Sequence, residues 1–390
     1  MSELIVRIAA RGDGVTASGR HAALAAPGDL LGEDGRVEPG PYHQQPPCRH
    51  FPECGGCQLQ HVDDAAYRQY LVDRVTGALA QHGLTTDMLA PHLSPPNSRR
   101  RANLRALRVG RQVALGFNSE RSHRIVDMRE CHVLRPELFE LVAPLRGLLS
   151  GIMSAKRPAE VGLTLCDQGV DVALKGVAVE GLEATEALTG FAERHRLARL
   201  GVDEGYGLEV RFEPVPATVT LAGTPVPVPP GSFLQATADG EAALVDAVRQ
   251  AVAGSRRIAD LFAGLGTFAL ALKGEVHAAE AARDAVLALK RARPAMSVEH
   301  RDLYRRPLSS AELAGFDGVV LDPPRAGAAE QVREIAASNV PRIAYVSCNP
   351  ATFARDARTL VDGGYQLAWV RPVGQFRWST HIELAAAFSR

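Results

Sequence analysis

The C-terminal part of the chain alternates strand patterns with helix patterns, and this alternation constrains the fold more strongly than any other feature. From about residue 236, helix patterns separate the apolar segments RIADLFA, VHAAE, FDGVVLD and RIAYVSC. Strands that alternate with helices predict a parallel sheet covered by helices on both faces. Residues 231–390 are therefore expected to form a doubly wound α/β domain, in which ligands bind at the carboxyl edge of the sheet.

Two regions of different character precede this domain. Residues 1–41 are rich in Gly and contain short, weakly alternating segments, which predict a small β-barrel that is too short to be complete. Residues 42–230 contain several strand patterns and helix patterns, and they predict a central α+β domain. A helix that begins after Asp63 or Asp64 is its first regular element.

Composition is typical of a soluble globular protein. Hydrophobic residues make up 46% and charged residues 23% of the 390 positions, which is enough for two or three domains with real cores. No segment approaches the roughly 20 apolar residues of a membrane helix, and the N-terminus lacks the pattern of a signal peptide. We therefore expect a cytoplasmic protein without membrane contact, and no obligate protein partner is inferred.

A Gly-rich loop follows the first strand of the C-terminal domain, in the segment ADLFAGLGTFALAL. Gly264 in this turn lets the backbone approach a ligand. Glu280 ends the next strand and suits two ribose hydroxyls, and Asp302 follows at a spacing typical of an adenine-side contact. Asp322 ends a further strand in LDPPRAG, where two prolines make the loop rigid. An ordinary turn is the alternative for each motif alone; together the motifs indicate a binding site.

A cysteine stands at the end of another apolar strand, in YVSCNP. Cys348 is thereby brought to the same sheet edge, where it is well placed as a nucleophile. Addition of a thiolate to carbon 6 of a uracil makes carbon 5 nucleophilic enough to take a methyl group. His381 and Glu383 share one face of a C-terminal strand, and Glu383 is a candidate base for the carbon-5 proton. The alternatives are a structural cysteine, which we prefer for Cys166, and a surface pair on an edge strand.

Three cysteines within ten residues indicate a metal or cluster site. Cys48, Cys54 and Cys57 have the spacing C-x5-C-x2-C, and Cys131 is a plausible fourth ligand. Four thiolates bind either a 4Fe-4S cluster or zinc. The asymmetric spacing favours iron–sulfur, because zinc sites usually show two CxxC pairs or matching histidines.

The net charge is formally zero, which is not typical of a nucleic-acid-binding protein. One short segment is nevertheless rich in arginine. Phosphate contact and a GC-rich coding bias explain it about equally well for any single residue, and the clustering favours phosphate. The segment contains Arg99, Arg100, Arg101, Arg105, Arg108 and Arg111.

In combination, these motifs resemble the bacterial RNA uracil-5-methyltransferase family, and especially its iron–sulfur branch that acts on 23S ribosomal RNA. CRHFPECGGCQLQH, DLFAGLGTF, DPPRAG, SCNP and HIE occur in the family's order, so the resemblance covers nearly the whole chain. Two departures stand out. The N-terminal region is shortened between Gly35 and Cys48, and Gly374, Phe376 and Arg377 replace the family's Asp-x-Phe-Pro.

The resemblance implies a Rossmann-like class I methyltransferase domain, a central α+β domain with a 4Fe-4S cluster, and a truncated TRAM-like β-barrel. S-adenosyl-L-methionine is the implied methyl donor, and RNA, with 23S ribosomal RNA favoured, is the implied partner. The implied roles are nucleophile for Cys348, base for Glu383, donor pocket for Gln235, Phe262, Gly264, Glu280, Asp302 and Asp322, and cluster ligand for Cys48, Cys54, Cys57 and Cys131.

Three alternatives remain open at this point. The same chemistry on transfer RNA needs no change in the site. A methyltransferase acting on an exocyclic amine also uses an Asp-Pro-Pro loop but needs no Cys348. An RNA-binding or redox-sensing iron–sulfur protein with a vestigial methyltransferase fold needs neither Cys348 nor Glu383.

Overall fold

The N-terminal residues form a small antiparallel sheet in the computed structural model, which describes residues 2–110, 112–153 and 157–390. Its strands are β1 (Glu3–Ile8), β2 (Gly14–Thr16), β3 (His21–Ala22), β4 (Leu30–Leu31) and β5 (Val37–Glu38). They lie in the order β3-β2-β1-β4-β5, which is an open half-barrel as the sequence predicts. Its core is small and consists of Ile5, Ala22, Ala25 and Leu31.

The next elements join the C-terminal sheet although they precede it by many residues. Helix α1 (Asp64–Ala80) begins at the cap Asp63, whose carboxylate accepts a hydrogen bond from the Ala66 backbone N–H at 2.8 Å. Strands β6 (Asp87–Met88) and β7 (His92–Leu93) pair in parallel with a strand near the C-terminus. The C-terminal sheet therefore takes in residues on the far side of the predicted boundary at residue 231.

The central region is an α+β unit. Its elements are β8 (Arg101–Val109), β9 (Gln112–Gly116), α2 (Pro136–Phe139), α3 (Val142–Ile152), β10 (Ala159–Cys166), β11 (Gly169–Lys175), α4 (Gly181–Arg194), β12 (Arg199–Asp203) and β13 (Leu208–Phe212). The strands lie in the order β13-β12-β11-β10-β8-β9. Strand β8 alternates as expected for a half-buried strand, because Ala102, Leu104 and Ala106 point into the core shared with α3 and α4.

The C-terminal region contains the predicted parallel sheet. After the hairpin β14 (Thr218–Leu221) and β15 (Thr224–Pro227), its elements are α5 (Ala238–Ala251), β16 (Arg257–Leu261), β17 (Glu275–Glu280), α6 (Arg283–Ala292), β18 (Ser297–His300), α7 (Ser310–Leu313), β19 (Gly318–Leu321), α8 (Ala329–Ala336), β20 (Arg342–Ser347), α9 (Pro350–Asp362), β21 (Gln366–Gly374) and β22 (Glu383–Ser389).

The strands lie in the order β18-β17-β16-β19-β20-β22-β21-β6, and β18 through β20 are parallel. Helices α1, α8 and α9 share a core with one face of this sheet, and α5 and α6 share another core with the opposite face. The doubly wound arrangement brings the carboxyl ends of β16, β17, β19 and β20 to one edge, where the predicted site residues follow.

The arginine-rich segment is largely engaged within the protein. The Arg100 guanidinium pairs with Glu241 at 2.5 Å, Arg105 pairs with Glu160, and Arg108 donates to the Met153 carbonyl at 3.0 Å. Arg111 lies outside the described residues. Because Arg100, Arg105 and Arg108 contact groups of the protein itself, they do not support the predicted phosphate-binding role of the segment.

Within the described ranges, no helix combines the length and apolar character that crossing a membrane requires.

Candidate active site

The Gly-rich loop after β16 is shaped by three residues with left-handed backbone. Phe262, Gly264 and Gly266 have φ of 65°, 55° and 91°. Gly266 also lies so close to α6 that an added Cβ would be 2.5 Å from the Leu289 side chain, which together with its positive φ favours glycine. The Phe262 and Ala263 backbone N–H groups both donate to the Ala279 carbonyl, at 3.0 and 3.1 Å. The loop is thus tied to the end of β17.

Glu280 at the end of β17 is held in place by the backbone around it. Its carboxylate accepts hydrogen bonds from the Gly264 N–H at 2.9 Å and the Ala282 N–H at 2.7 Å. Asp302, after β18, accepts from the Tyr304 N–H at 3.0 Å, and the Tyr304 ring lies 5.5 Å from the Phe262 ring. Two acids and two aromatic rings therefore surround one end of the cavity, which suits a ribose and a planar base.

Asp322 follows β19 and is linked to a chain of two glutamines. The Gln235 amide donates to the Asp322 carboxylate at 3.3 Å, and the Gln375 amide donates to the Gln235 oxygen at 2.8 Å. The Gln375 oxygen accepts from the Ala236 N–H at 2.9 Å, which fixes which way both amides face. Burial and the nearby Glu280 raise the pKa of Asp322 to about 7.

Cys348 lies between β20 and α9, half-buried at the wall of the cavity. Its neighbour Asn349 caps α9 by accepting from the Ala351 N–H at 3.1 Å, and the Asn349 amide donates to the Arg325 carbonyl at 3.1 Å. Burial, Glu383 and Asp322 raise the pKa of the Cys348 thiol to about 11, whereas the Arg325 guanidinium acts in the opposite direction. The thiol is therefore protonated at neutral pH before substrate enters.

Glu383 is the first residue of β22, and only 5% of its surface is exposed. Burial and the negative charge of Asp322 raise the pKa of the Glu383 carboxyl to about 8, although the Gln375 side chain hydrogen-bonds it. A carboxyl with this pKa exchanges protons near physiological pH, as a general base requires. Glu383 and Asp322 thus both influence the Cys348 thiol electrostatically.

One cavity of about 830 Å³ brings the predicted residues together. The predicted residues that line it are Gln235, Phe262, Gly264, Glu280, Asp302, Asp322, Cys348 and Glu383. A volume of this size accommodates a nucleoside-containing ligand together with a second planar group. The sequence motifs therefore converge on a single site.

Several residues of this site were not predicted from the sequence. Phe233 lines the cavity, is 60% exposed, and has the Arg101 guanidinium 4.3 Å from its ring centroid. The period of an extended segment places Phe233 on the same side as Gln235, which is a signal that was available. Asp260, in β16 next to the Gly-rich loop, is fully buried. Burial and Asp322 raise its pKa to about 8.

Cys48, Cys54, Cys57 and Cys131 surround a second, smaller cavity, and all four are free thiols. Phe51, Phe117 and Met128 complete much of its wall. An ion pair between Arg49 and Glu130 at 3.0 Å joins the neighbour of Cys48 to the neighbour of Cys131. Burial raises the pKa of the Cys57 thiol to about 12, whereas Cys166 is buried elsewhere, in the core around β14 and β15.

In the described part of the chain, no three or more Cys, His, Asp or Glu side chains are arranged to hold one metal ion. A single zinc ion requires sulfur atoms that converge on one point. A four-iron cluster instead occupies a cavity, and each cysteine binds a different iron. In this structure the four thiols line one cavity whose wall is mainly apolar, and they do not form a single-ion site among the described residues.

Comparison with known proteins finds similarity to RNA methyltransferases. A family model described as tRNA (uracil-5-)-methyltransferase matches residues 295–390. A Zymomonas mobilis protein named as an uncharacterized RNA methyltransferase is 49% identical over 99% of both chains. The 23S rRNA (uracil(1939)-C(5))-methyltransferase RlmD of Yersinia enterocolitica is 32% identical, over 94% of this chain and 90% of that one.

Among solved structures, Pyrococcus abyssi tRNA (uracil-54, C5)-methyltransferase in complex with S-adenosyl-L-homocysteine has a TM-score of 0.76. The match covers 100% of this chain and 99% of that chain at 23% identity. This likeness shows that the whole chain, including the half-barrel and the central unit, has the same fold with a class I methyltransferase domain.

Proposed function

This chain belongs to the RNA uracil-5-methyltransferase family and is S-adenosylmethionine-dependent, and on that premise we propose that it methylates carbon 5 of a uridine in 23S ribosomal RNA through a covalent adduct with Cys348. The observation that carries the proposal is the single cavity that holds a nucleoside-binding end, Cys348 and Glu383. S-adenosylmethionine supplies a methyl group on a positively charged sulfur.

The donor binds at the end of the cavity that holds Glu280. The Glu280 carboxylate, oriented by the Gly264 and Ala282 N–H groups, would accept hydrogen bonds from the ribose hydroxyls of the donor. Phe262 and Tyr304 would contact the adenine, and Asp302 would lie near it. Asp322 lies between this end and Cys348, so its carboxylate stabilises the positive charge at the methyl-bearing end of the donor.

The target uridine enters beside Cys348 after leaving its base stack. The Cys348 sulfur forms a bond to carbon 6, and the electrons of the carbon 5–carbon 6 double bond move toward oxygen 4. Carbon 5 then attacks the methyl group, and the carbon–sulfur bond of the donor breaks. Because a thiolate is needed while burial favours the thiol, the Cys348 proton must pass to solvent water as the uridine enters, which leaves the Glu383 carboxylate unprotonated for the last step.

Glu383 completes the reaction. Its carboxylate removes the proton from carbon 5, the double bond to carbon 6 re-forms, and the Cys348 thiolate leaves. The glutamine chain from Gln375 through Gln235 to Asp322 holds this part of the cavity rigid, so that the carboxylate stays within reach of carbon 5.

The RNA target is tested by methylation in vitro. We expect the protein, with tritiated donor, to form 5-methyluridine in unmodified 23S ribosomal RNA and not in transfer RNA transcripts. Support for this target is the 32% identity to the 23S ribosomal RNA enzyme over most of both chains. Mass spectrometry of nuclease fragments locates the methyl group, and product in transfer RNA alone would overturn the target while leaving the reaction intact.

We also propose that Cys48, Cys54, Cys57 and Cys131 bind a 4Fe-4S cluster, because they surround one cavity whose wall is mainly apolar. Protein purified without oxygen is expected to be brown, with broad absorption near about 400 nm and about four irons and four sulfides per chain. Cys57→Ser should lose the colour and the iron. Cys166→Ser is the matched control and should keep both, and a colourless wild type with one zinc per chain would refute the assignment.

A further inference from the structure

Arg99 lies where the cysteine site and the active site meet. Its backbone N–H donates to the Val133 carbonyl at 3.0 Å and its carbonyl accepts from the Arg135 N–H at 2.9 Å, both just after Cys131. On the opposite side, Arg99 forms an isolated β-bridge with Thr237, two residues after Gln235. The backbone of one residue therefore joins a segment of each site.

The Arg99 guanidinium lies between two aromatic rings that belong to different cavities. It is 5.9 Å from the centroid of Phe117, in the cysteine cavity, and 5.3 Å from the centroid of Phe376, in the active-site cavity. Its Nε donates to the Arg101 carbonyl at 3.0 Å. Across the described residues it makes no ion pair with a carboxylate; burial lowers the pKa of the guanidinium, and the nearby Cys131 and Cys57 sulfurs act in the opposite direction.

The Arg99 side chain is partly buried, and a nearby negative charge stabilises a partly desolvated cation. Thiolates bound to an iron–sulfur cluster carry such a charge, since the cluster with its four cysteines is an anion. The cysteine cavity would thus supply a negative charge on one side of the Arg99 guanidinium, where no carboxylate of the described residues supplies one. The planar group is then free to stack on Phe376 with its other face.

Phe376 belongs to a turn, residues 376–380, that leads directly to Glu383. The Trp378 carbonyl accepts hydrogen bonds from the Gln58 and Leu59 N–H groups at 2.8 and 2.9 Å, immediately after Cys57. The buried Tyr67 hydroxyl donates to the Ser379 carbonyl at 2.7 Å. The cysteine-bearing segment therefore holds the backbone of this turn.

The side chain of Phe376 is held differently from its backbone. Its ring lies 5.7 Å from the His381 ring, and both rings line the active-site cavity. Arg99 contacts Phe376 from the side of the cysteine cavity. Arg99 and His381 are thus two side chains that contact the Phe376 ring at the cavity.

We propose that Arg99 is a positioning residue that couples the cysteine site to the uridine cavity. The charge of the thiolate-bound cluster holds the guanidinium, and the guanidinium holds Phe376 against His381 at the place where the flipped base stacks. This inference rests on the cluster assignment made under the proposed function. It concerns how that cluster affects the reaction, and it requires no change in cluster oxidation state during turnover.

Two substitutions separate the charge of Arg99 from its planar shape. In Arg99→Met the cation is lost and most of the volume is kept; in Arg99→Lys the cation is kept and the planar stacking group is lost. The control is Arg211→Met. Arg211 lies on β13, an edge strand of the central sheet that also contains β8, and among the described residues it pairs only with Glu204 and Glu209. All variants are studied as anaerobically purified, cluster-loaded protein with saturating donor.

The expected results differ between the variants in two measurements. Arg99→Met should move the reduction potential of the cluster to a more negative value, because a nearby cation that stabilises the added electron is lost. Arg99→Lys should keep the wild-type potential. Both should lower kcat by about ten-fold, since misplacement of a positioning group affects the chemical step. Hydrogen exchange of residues 376–381 should be faster in both, with exchange of β20 unchanged.

Each other outcome overturns part of the proposal. Wild-type kcat and wild-type exchange at residues 376–381 in Arg99→Met would remove the positioning role. A rise in KM for RNA that disappears at high salt, without loss of kcat, would assign Arg99 to phosphate binding instead. An active wild type without iron or sulfide would refute the cluster, and with it the coupling, before any Arg99 variant is made.

Discussion

Cys348→Ala is expected to lose methyl transfer by about four orders of magnitude or more, the scale of a missing covalent nucleophile. Without the sulfur, carbon 5 of the uracil stays too weak a nucleophile to attack the donor. Donor binding should persist, because Cys348 lies beyond Asp322 from the residues that hold the ribose end, Glu280 and Gly264. Transfer of tritiated methyl groups measures the loss, and calorimetry with S-adenosylmethionine measures the binding.

The matched control for this substitution is Cys166→Ala. Cys166 is also a buried free thiol whose burial raises its pKa to about 12, but it lies in the core around β14 and β15, away from the cavity. Its removal should lower stability by the cost of a small cavity and leave kcat intact. Turnover by Cys348→Ala within about ten-fold of wild type would exclude the covalent step.

Glu383→Gln is expected to stop the reaction after methylation and to trap the adduct. The amide keeps the volume of the carboxyl group beside Gln375 but does not accept the carbon-5 proton, so elimination of Cys348 fails. Loss of a general base lowers kcat by about 10²–10⁴-fold. The trapped species should be an RNA–protein complex that survives denaturing gel electrophoresis and carries the tritium of the methyl group.

Two observations separate this role from simple disruption of the site. The double variant Cys348→Ala with Glu383→Gln should form no such complex, because the adduct needs the sulfur. In wild type, burial and Asp322 raise the pKa of Glu383 to about 8, and only its carboxylate form is a base. The value of kcat should therefore increase as pH rises through about 8, and the residual activity of Glu383→Gln should lack that increase. Absence of a labelled complex under all conditions would argue for a different base.

How far the sequence determines the site depends on which contacts build it. Glu280, Asp322 and Cys348 each follow an apolar strand, and parallel strands place such positions at one edge. The local pattern therefore predicted that these side chains meet, and they line one cavity. The same reasoning predicted the half-barrel, the central α+β unit and the cap of α1, because turns, alternation and capping are short-range features.

Contacts between distant segments were not predictable in this way. Strands β6 and β7 joined the C-terminal sheet although they lie in the region assigned to the central domain, because short strands carry little periodicity. Gln375 was missed because its partners Gln235 and Ala236 are far from it in the chain. The arginine-rich segment suggested phosphate binding, whereas most of its guanidinium groups found protein partners that no local pattern reveals.

By itself, the sequence predicted the chemistry: a donor-binding edge, a nucleophilic cysteine, a base and a set of four further cysteines. Only the tertiary structure decided how the active-site residues and the four further cysteines lie relative to one another. The segment after Cys57 and the turn before Glu383 are 322 residues apart at Gln58 and Thr380, yet they are hydrogen-bonded to each other. Side-chain identity and local spacing determine what a group does, whereas long-range packing decides which groups act on one another, and here it places Arg99 between the cysteine cavity and the uridine site.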